Sequence, residues 1–370
     1  MNPLLALRQR GQSVWLDHIS RRLITDGKLQ RLIDEDGLAG MTSNPTIFDK
    51  AIAGGGDYDA GLQRALEADR NAGNDTLVER LVVEDIQSAA DIFRPVYRDS
   101  DGLNGFVSLE VSPGSAHDTD ATIAEARHLW HIVARPNVMI KVPATREGIP
   151  AVEALTAEGI NINITLMFSL DHYDAVAEAY LRGLDRHPDP RQVAAVASVF
   201  VSRLDTVADR LLQEIGSPEA LALQGTIAIA NARRIYRRFR DIFQGERFAR
   251  LIQRGARVQR PLWASTGTKN PSYSDVLYLD SLIGPDTVTT VPPKTLDAFR
   301  DHGRVRVTLG AKESEAEATA ILDKAAALGV DVRAITEQLQ IDGIAAFASS
   351  FEQLIATVGM KRRELLAPAS

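Results

Sequence analysis

The sequence predicts an α/β fold, a closed (β/α)8 or TIM barrel with additional helices in an insertion and at the C-terminus, and three observations predict it. Short apolar runs of strand length alternate with amphipathic stretches of helix length from about residue 105 onward, the pattern of parallel strands joined by helical crossovers. Eight strand candidates are present, the number that closes such a barrel. The run 138–143, Val-Met-Ile-Lys-Val-Pro, is apolar on both sides of its lysine, so it reads as a strand buried on both faces.

The elements follow in order. Residues 13–16 read as a strand, with Asp17 at its carboxyl end and an amphipathic segment at 18–25. A second apolar piece at 37–41 runs into Thr-Ser-Asn-Pro, where Pro45 at a first helical position and a hydroxyl or amide before it are helix-start chemistry. Capping is therefore the plain reading of Asn44. Residues 47–100 are helical in pattern, broken by Gly-Gly-Gly near 54 and Gly-Asn-Asp near 73, and form an insertion over one rim. The regular alternation then begins: strand 105–111, helix 121–134, strand 138–143, helix 149–158, strand 160–164, helix 170–184, strand 193–200, a helical region 203–254, and strands 257–264 and 287–291. A helical tail at 313–366, rich in Ala, Glu, Leu and Gln, is expected to pack across the barrel. No fixed-period repeat and no low-complexity linker divides the chain, so 1–370 reads as one domain.

Composition narrows the chemistry. At 370 residues, 45% hydrophobic and 25% charged, the chain is of ordinary globular make-up. A net charge of -7 gives no reason to expect nucleic acid or an anionic membrane as partner. With no cysteine, disulfides, thiolate nucleophiles, iron-sulfur clusters and cysteine zinc sites are excluded. No 18-residue apolar run and no signal peptide is read, so the cytoplasm is the expected compartment. His128, His131 and Glu125 have helical spacing suited to zinc, but they fall on an outer helix and the histidines read as surface residues; no metal is expected.

Lys141 is the centre of the functional reading. Only eight of the 42 basic residues are lysine, so a lysine in a buried strand is a marked choice. Burial disfavours the ammonium and releases a free amine, the nucleophile that attacks ketones. The alternative is a lysine snorkelling to solvent from an edge strand. In a barrel the carboxyl ends of the strands carry the reactive groups, and these ends hold Asp17, Asn44, Glu110, Lys141, Asn163, Thr165, Ser198, Arg203, Ser265 and Lys269. Glu110 lies on the strand before that of Lys141, so the two are neighbours if consecutive strands pair. Asn163 and Thr165 share a strand face by their spacing of two. Carboxylates in separate surroundings suit separate proton transfers. Ser-Thr-Gly-Thr-Lys-Asn at 265–270, with Arg203, offers hydroxyls and cations for a phosphate, or else is a solvated loop. Lys294, after a proline pair, is the rival nucleophile and is expected in a solvated turn.

These motifs resemble the transaldolases of the pentose phosphate pathway, in their longer bacterial form. The resemblance runs through Val14-Trp-Leu-Asp17, Gly40-Met-Thr-Ser-Asn-Pro45, Ser108-Leu-Glu-Val-Ser112, Ile140-Lys-Val-Pro-Ala-Thr145, Asn161-Ile-Asn-Ile-Thr165 and Ser198-Val-Phe-Val-Ser-Arg203. It implies Lys141 as the Schiff-base lysine, Glu110 and Thr165 as holders of a proton-relaying water, and Asp17 as acid and base for carbon-carbon cleavage. It implies Asn44, Asn163 and Ser198 as hydroxyl binders, and Arg203 with Ser265 as phosphate ligands. Where much of the family has an arginine soon after that serine, this chain has Thr-Gly-Thr-Lys, which passes the role to Lys269. The implied reaction moves a dihydroxyacetone unit from sedoheptulose 7-phosphate to glyceraldehyde 3-phosphate without a cofactor. Small-molecule sugar phosphates are the expected partners, and the choice between monomer and homodimer stays open. Two alternatives are a fructose-6-phosphate aldolase-like lyase and a sugar-phosphate-binding barrel without turnover. The aldolases usually carry glutamine at the place of Glu110 and tyrosine at that of Phe200, so both positions resemble the transaldolases.

Overall fold

The structure is a computed structural model and describes residues 2–367. Its eight strands close into one parallel barrel in sequence order: β1 Gln12–Asp17, β2 Gly40–Thr42, β3 Phe106–Glu110, β4 Val138–Pro143, β5 Ile162–Met167, β6 Ala195–Phe200, β7 Gln259–Ala264 and β8 Thr287–Val291. Every residue of β4 to β7 is buried, as expected of strands covered by barrel filling on one side and helices on the other. The pairing register sets the site. Glu110 lies beside Lys141, Lys141 beside Asn163, and Pro143 beside Thr165, while Asp17 lies beside Thr42.

The barrel interior is filled rather than hollow. Trp15 is fully buried, and the β2 residue facing it is Gly40, where an added Cβ would lie 2.5 Å from the indole. Below it, the buried Arg260 donates to Ser13 Oγ, to the Thr287 carbonyl and to the Leu103 carbonyl. A Gly40→Ala variant is accordingly expected to lose about 1–3 kcal/mol through overpacking, measured by urea unfolding. Trp15→Leu in the same chain should recover part of that loss.

β5 extends to Met167, three residues beyond the strand expected from the sequence. The reason is a break in its register between Ile164 and Met167, with Leu166 at φ 54, a left-handed conformation that no apolar pattern announces. The segment expected as a helical insertion holds helices Pro45–Ala53, Asp59–Ala68 and Asn74–Asp99, the longest of which packs on β3. After β8 the proline pair does not make a turn. Pro293 is the first residue of helix Pro293–His302, so Lys294 sits in a helical first turn, exposed as expected.

The tail forms two helices, Lys312–Ala327 and Val332–Leu366. Contrary to the sequence reading, the second is long and apolar enough to cross a membrane by length and composition alone. Its middle is Ala-rich and carries few charges, a composition that a search for an unbroken Leu/Ile/Val run overlooks. A third of that apolar window is buried, and the helix packs against Pro45–Ala53 and Asn74–Asp99.

Candidate active site

The carboxyl ends of the strands open into a cavity of about 310 Å³. Asp17, Asn44, Lys141, Thr165, Ser198, Phe200, Arg203, Ser265 and Lys269 line it. Glu110 and Asn163 stand behind that wall and reach it through hydrogen bonds. Lys141, only 5% exposed, points inward; its Nζ donates to Glu110 Oε2 at 3.2 Å and to the Ser43 carbonyl at 3.0 Å. The snorkelling alternative is thereby set aside.

Both carboxyl groups are held above the ordinary carboxylate range. For Glu110 the cause is burial, opposed by the charge and hydrogen bond of Lys141. For Asp17 burial again leads, opposed first by the hydrogen bond from Thr42 and then by the charge of Lys141. Thr42 Oγ1 donates to Asp17 Oδ1 at 2.7 Å and lies 2.7 Å from Thr290 Oγ1. With one proton of its own, Thr42 must accept from Thr290, so the two threonines fix one face of the carboxylate.

The wall beyond Lys141 is a hydrogen-bonded row. Asn163 is fully buried; its Nδ2 donates to Ser108 Oγ at 3.0 Å and its Oδ1 accepts from Ser198 Oγ at 2.6 Å. Thr165 Oγ1 is buried with no protein partner among the described residues, a polar atom turned toward the site and free to bind water or substrate. Asn44 fulfils the capping reading, its Oδ1 accepting from the Ile47 amide, and lines the cavity as well.

The opposite side is cationic. Arg203, in the first turn of helix Ser202–Ile215, lines the cavity with Ser265 and Lys269. Burial lowers the Arg203 pKa, and the charges of Asp17 and Glu110 oppose that shift. Ser265 sits at φ 55, a strained conformation at the end of β7, with its Oγ 3.0 Å from Ser202 Oγ. The sequence reading missed Lys50 and Phe347, which also line the cavity. It treated Thr42 only as helix-start chemistry. The expectation for the histidines holds for His128 and His131 in placement, on helix Thr119–Val133, where His128 lies 3.0 Å from Glu79. Glu125 is engaged by the Ser112 amide and Ser115 hydroxyl.

An amine beside one carboxyl, a second carboxyl across the same cavity and a cationic rim form a constellation for covalent carbonyl chemistry. The family model described as Transaldolase/Fructose-6-phosphate aldolase matches residues 14–358. The chain belongs to this family. It is 46% identical over 360 residues to a transaldolase of Mycobacterium marinum, covering 96% of each chain. It is 45% identical over 365 residues to a transaldolase of Mycolicibacterium smegmatis, covering 97% of each. To a transaldolase of Mycobacterium tuberculosis it is 45% identical over 361 residues, covering 96% of each.

Proposed function

We propose that the chain is a transaldolase that works through a Schiff base on Lys141, moving a dihydroxyacetone unit between sugar phosphates in the non-oxidative pentose phosphate pathway. The observation that carries the reading is the inward Lys141 amine held 3.2 Å from Glu110, in a chain 46% identical to a transaldolase along nearly its whole length. The amine attacks the ketone carbon of sedoheptulose 7-phosphate, and the carbinolamine loses water as protons pass through Glu110 and a water held with Thr165. Asp17 then takes the proton of the C4 hydroxyl as the C3–C4 bond breaks, releasing erythrose 4-phosphate. The remaining three-carbon enamine adds to the aldehyde of glyceraldehyde 3-phosphate, with Asp17 returning the proton, and hydrolysis frees fructose 6-phosphate.

Asn44 and Ser198 bind the dihydroxyacetone hydroxyls, with Asn163 fixing Ser198 from behind. Ser265, Arg203 and Lys269 take the phosphate. No cofactor is needed for these steps, and the cytoplasm, where sugar phosphates are interconverted, is the expected compartment. Borohydride trapping with fructose 6-phosphate followed by peptide mass mapping tests the reading. An adduct on Lys141 supports it, and an adduct on no lysine overturns it in favour of a binding-only barrel.

The lyase alternative turns on Phe200. Its ring packs on Phe168 at 5.3 Å between centroids and presents no hydroxyl to the cavity. Water near the bound enamine is thus left without one activating partner, and the intermediate waits for an aldehyde. A Phe200→Tyr variant should release free dihydroxyacetone from fructose 6-phosphate about 10²-fold faster, the low end of what a positioned acid or base contributes. Unchanged release in a coupled dehydrogenase assay would remove Phe200 from this role.

A further inference from the structure

Arg203 is a partly buried guanidinium with no ion pair and no side-chain hydrogen bond among the described residues. What holds it is aromatic. Its Cζ lies 5.3 Å from the Phe200 ring centroid and 5.8 Å from that of Phe347. Phe200 belongs to the barrel, whereas Phe347 arrives on the long C-terminal helix, is 5% exposed, and also stands 5.9 Å from Lys141 Nζ.

The helix that delivers this ring is fastened across the barrel mouth by polar contacts at both ends. Gln340 Nε2 donates to the Ala144 carbonyl at 2.9 Å and to the Leu166 carbonyl at 3.0 Å, just past β4 and within β5. Further along, Ser350 accepts from Thr46 at 2.8 Å and Thr357 donates to Asp49 at 2.6 Å, both on helix Pro45–Ala53. Gln340, Gly343, Phe347 and Ser350 recur at three- and four-residue intervals, so they share one helix face. Gly343 lets that face close on the rim, since an added Cβ would meet Leu166 Cδ2 at 2.9 Å. The ring of Phe347, one turn on, drops into the cavity.

We propose that Phe347 is a positioning residue for phosphate recognition. With Phe200 it holds the Arg203 cation over two ring faces, leaving its N–H groups, which have no protein acceptor among the described residues, for the phosphate oxygens of the substrate. A cation held over aromatic rings keeps its donors available, and the contact removes rotamer freedom that a lone arginine would lose on binding. The proposal rests on the sugar-phosphate reading above, and its test separates the two.

Phe347→Leu, Phe347→Met and Phe347→Tyr are compared with the unmodified enzyme, using fructose 6-phosphate and unphosphorylated fructose as donors to erythrose 4-phosphate and measuring the sedoheptulose 7-phosphate formed. For the phosphorylated donor, the Leu and Met variants should raise KM about tenfold, the factor that about 1.4 kcal/mol of lost cation–π contact represents. Their kcat should stay within about twofold, and kcat/KM for fructose should barely move. The Tyr variant keeps the ring and should restore KM. Equal losses for both donors, or a fall in kcat with KM unchanged, would reduce Phe347 to a core residue and overturn the proposal. Met conserves volume and supplies the answer if the Leu variant is too unstable. If the unmodified enzyme forms no borohydride adduct with fructose 6-phosphate, the Schiff-base reading fails first, and independently of any Phe347 result.

Discussion

Lys141→Arg and Lys141→Met are expected to remove dihydroxyacetone transfer, on the order of 10⁴- to 10⁶-fold in kcat, the scale on which loss of a covalent nucleophile is felt. Arginine keeps the charge beside Glu110 but cannot form the imine, so its failure would exclude a purely electrostatic role for Lys141. Methionine removes the charge and leaves the carboxyl of Glu110 in a buried pocket. Because burial already raises Glu110 above the usual carboxylate range, that group can take up a proton instead of remaining an unpaired charge. The methionine variant should therefore stay folded, with a melting temperature close to that of the parent, and inactivity will report chemistry.

The same variants decide between the lysines near the phosphate side. Lys50 and Lys269 line the cavity without an ion partner among the described residues, and Lys294 is exposed in its own helix. After borohydride treatment with fructose 6-phosphate, the adduct should map to the peptide containing Lys141 and disappear in both variants. An adduct that persists on Lys50, Lys269 or Lys294 would assign the nucleophile elsewhere and end the account built on β4.

What the sequence made legible and what it hid have different physical origins. Lys141 and Glu110 could be placed side by side because consecutive parallel strands pair, and the register does bring them level. The strand-end list came out of the same rule, and it gathers around one cavity. The rule is silent about anything arriving from a distant part of the chain. Phe347 lies on the tail expected to pack across the barrel, but nothing local says which of its side chains reaches the mouth. Lys50 belongs to a helix whose start was legible, yet nothing local says that its exposed side overlooks a barrel mouth. Leu166 was hidden for another reason, since its left-handed backbone is imposed by the shape of the rim and not by its side chain. At Lys294 the signal was present and misjudged: a proline at the first helical position starts a helix there, as Pro45 does after Asn44.

Asp17→Asn should separate imine formation from carbon-carbon cleavage. The amide has nearly the volume of the carboxyl and can still accept from Thr42 Oγ1, so the local geometry is kept. It cannot take the C4 hydroxyl proton, and transfer should fall about 10²- to 10⁴-fold, the range for a lost general base. Lys141 and Glu110 are untouched, so imine formation continues, and borohydride should trap the uncleaved six-carbon adduct where the parent yields the three-carbon one. Mass mapping reads the difference directly. The pH profile gives a second test with a defined sign. Asp17 acts as carboxylate, so cleavage is present above its pKa and is lost as pH falls through it. Burial raises that pKa, which puts the acid limb of the parent above the ordinary carboxylate range. The hydrogen bond from Thr42 pulls the other way, so Thr42→Val should move the limb to still higher pH. A limb that stays in place in Thr42→Val, or a three-carbon adduct in Asp17→Asn, would take the cleavage step away from Asp17 and leave Glu110 as the carboxyl to examine.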